Sequence, residues 1–295
     1  MDISFEYYKI FYYVAKYENI TKAAMVLKSS QPNVTRIIHL LEDQLDCRLF
    51  LREPRGLKLT EEGKRLYDHV AIACQHLLDA EAELCWNKNI CSGTIELGVT
   101  ETALHLFLLK HLHGFQQKYS DIKIRIQNNT TPGILKALLN RRLDLAIVTT
   151  PFELNDTFAC EDLMTFREVP AGGSEYRALA GHPMSLKEFR FHSIIGLGYG
   201  TASYEYYRKV FMEQKLDYEP AMEVATADLV IPLLQNNLGV GFIPEPLAAP
   251  FFEDQSLVPL SLNVPLPSRD VKMLWDKSLS QSRAAATFCD YLRSL

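Results

Sequence analysis

No apolar run in the chain approaches the ~18 residues that suggest a membrane span. The first twenty residues carry Asp2, Glu6, Lys9, Lys16 and Glu18, so no secretory leader is expected there. Cysteine is scarce: six residues, at 47, 74, 85, 91, 160 and 289, with no C-x-x-C pair. Reduced thiols in a cytoplasm are therefore expected, rather than a disulfide framework or a zinc site. Nucleotide and hydrolase signatures are missing too. There is no G-x-x-x-x-G-K-[ST], no G-x-S-x-G and no H-E-x-x-H, and GLGYGTAS breaks the G-x-G-x-x-G spacing at Thr201. His105, His111 and His113 lie on a predicted helix, and residues two apart do not share a helix face, so neither a metal nor a cofactor is expected. Internal repeats and low-complexity tracts are likewise absent.

Positive charge is in deficit overall. A formal net charge of -5 excludes a protein that coats nucleic acid indiscriminately. What is there is focused. Between Thr21 and Ile37 the charged residues are Lys22, Lys28 and Arg36, with no acid; between Arg48 and Lys58, Arg48, Arg52, Arg55 and Lys58 oppose Glu53 alone.

Helical spacing organises the first part of the chain. Phe5, Tyr8, Phe11, Tyr12 and Ala15 form one apolar stripe. Thr21 is expected to cap a short helix through Leu27, because its hydroxyl can accept an orphan backbone N–H. A third helix is expected to start at Ser30, with Pro32 in the first turn, where a missing N–H costs nothing. Val34, Ile37, Ile38, Leu41 and Leu45 give it a buried face, and Asp46 tolerates the left-handed geometry of a helix end. In RLFLREPRGLKLT, alternating Leu49, Leu51, Leu57 and Leu59 flank the turn Glu53-Pro54-Arg55-Gly56, which predicts a hairpin with a basic tip. Helix, helix–turn–helix and basic hairpin together make a winged helix–turn–helix. Thr60 then opens a long helix, in which Leu66, Val70, Ala73, Leu77, Ala80 and Leu84 repeat as a heptad seam. The seam suits either self-association or packing on the helix's own domain.

After Ser92-Gly93 the texture changes to strands alternating with helices: TIELGVT, IKIRIQN, LDLAIVTT, SIIGLGY, MEVA, GVGFIP and VKMLWD. Such alternation predicts a parallel α/β sheet, and the length suggests two lobes.

The first ninety residues closely resemble the DNA-binding domain of LysR-type transcriptional regulators, through FYYVAKYENITKAAMVL, SQPNVTRIIHLLEDQL, CRLFLREPRGLKLTEEG and the helix that follows. The remainder is similar to that family's effector-binding domain through GTIELGVT, DLAIVTT and LQNNLGVGFIP. Asp46 and Asn237 stand where the family usually has Gly; both tolerate positive φ, so the backbone course should survive. Pro232 should kink or shorten its helix.

The resemblance implies an α+β multi-domain chain. Its parts are a winged helix–turn–helix over 1–60, a dimerising linker helix over 61–91, and a periplasmic-binding-protein-like effector domain over 92–295. Lobe I is expected over about 92–160 plus 267–295 and lobe II over about 161–266. The third helix offers Gln31, Pro32, Asn33, Thr35, Arg36 and His39 on its free side. Gln and Arg can pair bidentately with adenine and guanine in a major groove. Of these residues, Gln31, Pro32, Thr35 and Arg36 match the family's base-reading positions. Thr21, Ser29 and Ser30 near helix starts, together with Lys28, Arg52 and Arg55, suit phosphates.

Ligands of open α/β sheets bind at the carboxyl ends of strands. Thr100, Glu101, Thr102, Gly198, Tyr199, Gly200, Thr201, Ser203 and Thr226 are therefore expected around one effector cleft. An acid at its mouth, Glu101, would need a cationic partner or would select an effector bearing an amine or hydroxyl. The implied partners are operator DNA, a small-molecule effector, further copies of the chain in a homodimer or homotetramer, and RNA polymerase. The alternative is a small-molecule-binding protein or hydrolase with an accessory helical domain, which turnover or stoichiometric metal would reveal.

Overall fold

The computed structural model describes residues 3–53, 56–85 and 92–295, and the chain divides into two compact units, Met1–Lys88 and Asn89–Leu295. Among the described residues no helix is long and apolar enough to cross a membrane.

The N-terminal unit runs α1 (Phe5–Tyr17), α2 (Ile20–Val26), α3 (Gln31–Leu45), β1 (Phe50–Glu53), β2 (Gly56–Leu59) and α4 (Glu61–Cys85). Fully buried Phe11, Val14, Ala23, Val34 and Leu41 join α1, α2 and α3 in one core. The cap of α2 is Asn19, whose Oδ1 accepts from Lys22 N at 2.9 Å, and not Thr21 as expected. Asn and Thr are comparable caps, and here the earlier one holds the extended backbone that a cap requires. Ser30 caps α3, and Asp46 ends it in the left-handed region at φ 51°. β1 and β2 pair antiparallel from Phe50↔Leu59 to Glu53↔Gly56, and the hairpin is tied to α1 where Leu57 N donates to Glu18 O at 3.1 Å. Thr60 caps α4, accepting from Gly63 N at 2.9 Å while donating to Arg48 O at 2.7 Å.

That junction explains a glycine in the LTEEG motif. A Cβ on Gly63 would lie 2.2 Å from the Leu49 carbonyl oxygen, so α4 and the hairpin could not meet as they do. Gly63→Ala is expected to destabilise the N-terminal unit by about 1–3 kcal/mol. Urea unfolding of the full chain measures this, and an unchanged first transition would contradict it.

The C-terminal unit has two five-stranded sheets. In chain order its elements begin with β3 (Gly93–Val99), α5 (Glu101–Ala103), a π-helical turn (Leu104–Leu108), α6 (Leu109–Lys118), β4 (Ile122–Asn128), α7 (Thr131–Leu139) and β5 (Leu145–Thr149). Next come β6 (Phe158–Phe166), β7 (Glu168–Gly172), α8 (Leu186–Phe189), β8 (Ile194–Leu197), α9 (Ala202–Glu213), β9 (Met222–Val224), and α10 (Val230–Gln235). The chain ends with β10 (Val240–Pro244), α11 (Glu245–Glu253), β11 (Val258–Pro259), β12 (Arg269–Asp276) and α12 (Arg283–Arg293). Lobe I carries the order β4-β3-β5-β12-β6, and lobe II β11-β7-β10-β8-β9.

The sheets are mixed, not parallel as the alternation suggested. β12 runs antiparallel to β5 and β6, and β7 runs antiparallel to β10 and β11. These are the strands on either side of the lobe crossings, where no helix intervenes to force a parallel return. The first crossing falls after Phe166 rather than near residue 160, because β6 pairs along its length with β12. Asn237 takes φ 60° as expected. Pro232 sits in the first turn of a shortened α10, behind a 3₁₀ turn at Ala227–Leu229.

Candidate functional site

On the N-terminal unit, α3 buries Val34, Ile37, Ile38 and Leu41 and leaves Gln31, Pro32, Arg36 and His39 exposed, with Asn33 and Thr35 half-buried. Hydrogen bonds among these polar side chains order the exposed face. Asn33 Nδ2 donates to Ser29 Oγ at 3.1 Å, Arg36 Nη2 to Asn33 Oδ1 at 3.1 Å, and Thr35 Oγ1 to Gln31 O at 3.0 Å. Thr21 Oγ1 donates to Gln31 Oε1 at 3.4 Å, so the Thr21 hydroxyl joins this surface instead of capping its helix. Lys28 is exposed at φ 51° in the turn between α2 and α3. Arg55 and the side chain of Arg52 lie outside the described residues. His39 leans the other way, with Nδ1 3.5 Å from Glu42 Oε2.

Glu42 was not singled out in the sequence. It is 5% exposed, and it accepts from Leu49 N at 2.8 Å, Arg48 Nη1 at 2.7 Å and Phe50 N at 3.3 Å. Burial works to raise its carboxyl, but the Leu49 amide, the Arg48 guanidinium and the Phe50 amide outweigh it and hold the group below the usual glutamate range. The carboxylate thus fastens the first wing strand to α3.

The heptad seam divides. Val70 is buried and Leu66 packs on the core of its own unit, while Ala73 and Leu77 are exposed. The side chains of Ala80 and Leu84 lie outside the described residues.

In the C-terminal unit a cleft of about 360 Å³ opens between the lobes. Thr100, Glu101, Thr102, Thr201, Ser203 and Thr226 line it, brought together from the carboxyl ends of β3, β8 and β9. Gly198, Tyr199 and Gly200 do not. They form the turn into α9, with Gly200 at φ 84° and Tyr199 81% exposed. Asn128, Asn129, Thr130, Thr131 and Thr149 also line the cleft, and sequence reasoning missed them. The strand-to-helix step IKIRIQNNTTP was the signal for the first four, since it follows the same rule that found Thr100, and Thr149 stands at the carboxyl end of β5.

Hydroxyls of the cleft are unevenly used. Thr201 Oγ1 accepts from Tyr204 N and donates to Gly198 O, so it is fully engaged. Thr100 caps nothing with its side chain, and its buried Oγ1 has no partner among the described residues. Glu101 is engaged on both oxygens: its Oε1 lies 2.6 Å from His105 Nε2, and its Oε2 accepts from Asn128 Nδ2 at 3.0 Å. The i, i+4 spacing of Glu101 and His105 was the available signal. A second, largely apolar cavity of about 390 Å³ shares Glu101 and Thr102 with the cleft and has Pro232 in its wall.

Comparison with known proteins agrees with this architecture. Residues 5–64 match the family described as bacterial regulatory helix-turn-helix protein, lysR family, and residues 91–295 match the LysR substrate binding domain. The chain is 26% identical over 289 residues to the HTH-type transcriptional regulator YofA of Bacillus velezensis, covering 97% of this chain and 96% of that one. Among solved structures, the probable transcriptional regulator PA0477 of Pseudomonas aeruginosa superimposes with a TM-score of 0.71 at 18% identity, covering 99% and 97%. CbnR, a LysR family transcriptional regulator, gives 0.69 at 16%, covering 99% of both chains. At such identities the superpositions speak for the fold, while the two family matches span nearly the whole sequence. The chain belongs to the LysR family of transcriptional regulators, with a helix–turn–helix DNA-binding domain ahead of an effector-binding domain.

Proposed function

We propose that the N-terminal turn of α3 enters the major groove of an operator, where Gln31, Pro32, Thr35 and Arg36 meet base edges and Asn33 holds Arg36 in place. Thr21, Lys28, Ser29 and Ser30 sit where phosphates would flank that helix, and Arg52 and Arg55 are assigned to the backbone beside the wing. The observation that carries this reading is the ordered polar network on an α3 face that no described residue of its own unit covers. A solvated face has no need of side chains fixed by one another, whereas a base-reading face gains from fixing them before binding.

One such unit reads a few base pairs, so a homodimer or homotetramer is proposed, paired through the exposed Ala73–Leu77 portion of α4. The effector is assigned to the interlobe cleft, where it biases the arrangement of the lobes by its differential affinity. Contact with RNA polymerase and a cytoplasmic location complete the proposal.

Selection of duplexes from a random pool by the intact chain tests the DNA reading. Enrichment of a two-fold-symmetric sequence with half-sites about one helical turn apart, or a multiple of it, is expected. Equal recovery of all duplexes would overturn it.

A further inference from the structure

The apolar cavity beside the cleft has a volume of about 390 Å³, which falls in the ~300–1,000 Å³ range of small-molecule sites. Its walls are α5 and the π-helical turn on one side, and α10, β10 and α11 on the other. Ile231, Phe242, Ile243, Leu247 and Phe251 make the lining largely apolar. Glu101, Thr102, His105, Asp228 and Gln235 supply its polar side chains. Two of these are acids, and no Lys or Arg lines the cavity among the described residues. Pro232 and Pro244, also in the lining, have no backbone N–H to offer an anion.

Glu101 stands on the partition between this cavity and the cleft. The partner of its Oε2, Asn128, lines the cleft, and the partner of its Oε1, His105, lines the cavity. A carboxylate offers about four acceptor positions, and these two partners occupy two of them. The Glu101 side chain is 21% exposed, so a further donor can reach it. The backbone of this wall is unusual as well. His105 lies in the π-helical turn Leu104–Leu108, a rare geometry that gathers at functional sites.

We propose that this cavity is a second small-molecule site, distinct from the cleft, and that it takes an organic amine. The apolar body of the amine packs among Ile231, Phe242, Leu247 and Phe251, and its ammonium group donates to Glu101. A carboxylate on the same body would meet two acids with no lysine or arginine in the lining to offset them. An alcohol could donate to Glu101 but would lack the charge attraction. This site stands whether or not the cleft binds the effector.

Calorimetry on the full chain, at neutral pH and constant ionic strength, tests this with two probe sets. One is hexylamine, 1-hexanol and hexanoate; the other is 2-phenylethylamine, 2-phenylethanol and phenylacetate. Ethylamine supplies the head without the body. At least one of the larger amines should bind roughly tenfold or more tightly than its alcohol and its carboxylate, and ethylamine should not bind measurably. Glu101→Gln should bring that amine down to the level of its alcohol. Ile231→Phe, which fills the cavity from a half-buried position, should weaken amine and alcohol alike. Ala225→Trp, on the exposed rim of the cleft, should change neither. Loss of amine binding in Ala225→Trp would put the amine in the cleft, which overturns the separate site and leaves the cleft reading intact. Full amine binding in Ile231→Phe, an undiminished amine preference in Glu101→Gln, a preference for either carboxylate, or no binding by either larger amine would also overturn the proposal. Glu101→Gln conserves side-chain size, so it decides the matter even if Ile231→Phe fails to fold.

Discussion

Arg36→Ala should weaken binding to the selected operator by about 1–3 kcal/mol and flatten the base preference at one position of each half-site. The reason is local. Arg36 is exposed one turn into α3, and its guanidinium is held by Asn33 Oδ1, which is itself tied to Ser29. A fork fixed in this way can present two donors to guanine without first being ordered. Removing it loses both bonds and the pre-alignment. Asn33→Ala should lose only the alignment and fall between Arg36→Ala and the wild type. Fluorescence anisotropy with the selected duplex and single-base variants separates the two effects. Uniform weakening across all base variants would make Arg36 a phosphate contact instead.

Glu42→Ala should have the largest effect on the N-terminal unit without touching DNA. Three donors converge on one buried carboxylate, two of them backbone amides at the start of the wing. Charged hydrogen bonds and a stranded buried amide together put the loss at about 2–4 kcal/mol. That is a large fraction of an ordinary domain's ~5–15 kcal/mol stability. The sign of its pH dependence follows from the lowered carboxyl. Because the folded value lies below the unfolded one, the stabilisation is complete above the unperturbed glutamate value of about 4.3 and is lost as pH falls through the depressed folded value. Hydrogen exchange on the full chain checks both statements. The Leu49 and Phe50 amides should lose protection in Glu42→Ala at neutral pH, and in the wild type as pH drops below that range. Undisturbed protection at both amides would contradict the role given to Glu42.

Much of this was legible in the residues. Ser30 and Asp46 bracket α3 because a hydroxyl cap and a residue tolerant of positive φ are strong local signals, and the alternating leucines on either side of Glu53 and Gly56 pair as a hairpin. Local signals fail where two candidates stand side by side, as with Asn19 and Thr21. They fail again where direction is set from far along the chain. β7 reads EVPAG, with Pro170 and Gly172 hiding a central strand, and β6 carries Glu161 and Asp162 because it is an edge. The π-helical turn after Glu101 has no signature in LHLFL. The cleft was half found: strand-end hydroxyls could be read off, but Arg269, which donates to Thr149 and Ser203, looks like a solvated charge until Glu168, 101 residues away in sequence, meets it in the core. Seam residues Leu66 and Val70 show the converse. Their heptad spacing is genuine, yet it serves the unit's own core.

Placement of α3 in the groove is open to a single measurement. With a photocrosslinking amino acid in place of Thr35, irradiation of the chain bound to its selected duplex should join it to bases within each half-site, and should give little product with a scrambled duplex. Adducts of equal yield on the two duplexes, or adducts confined to positions outside the half-sites, would contradict the assignment of this helix to base reading.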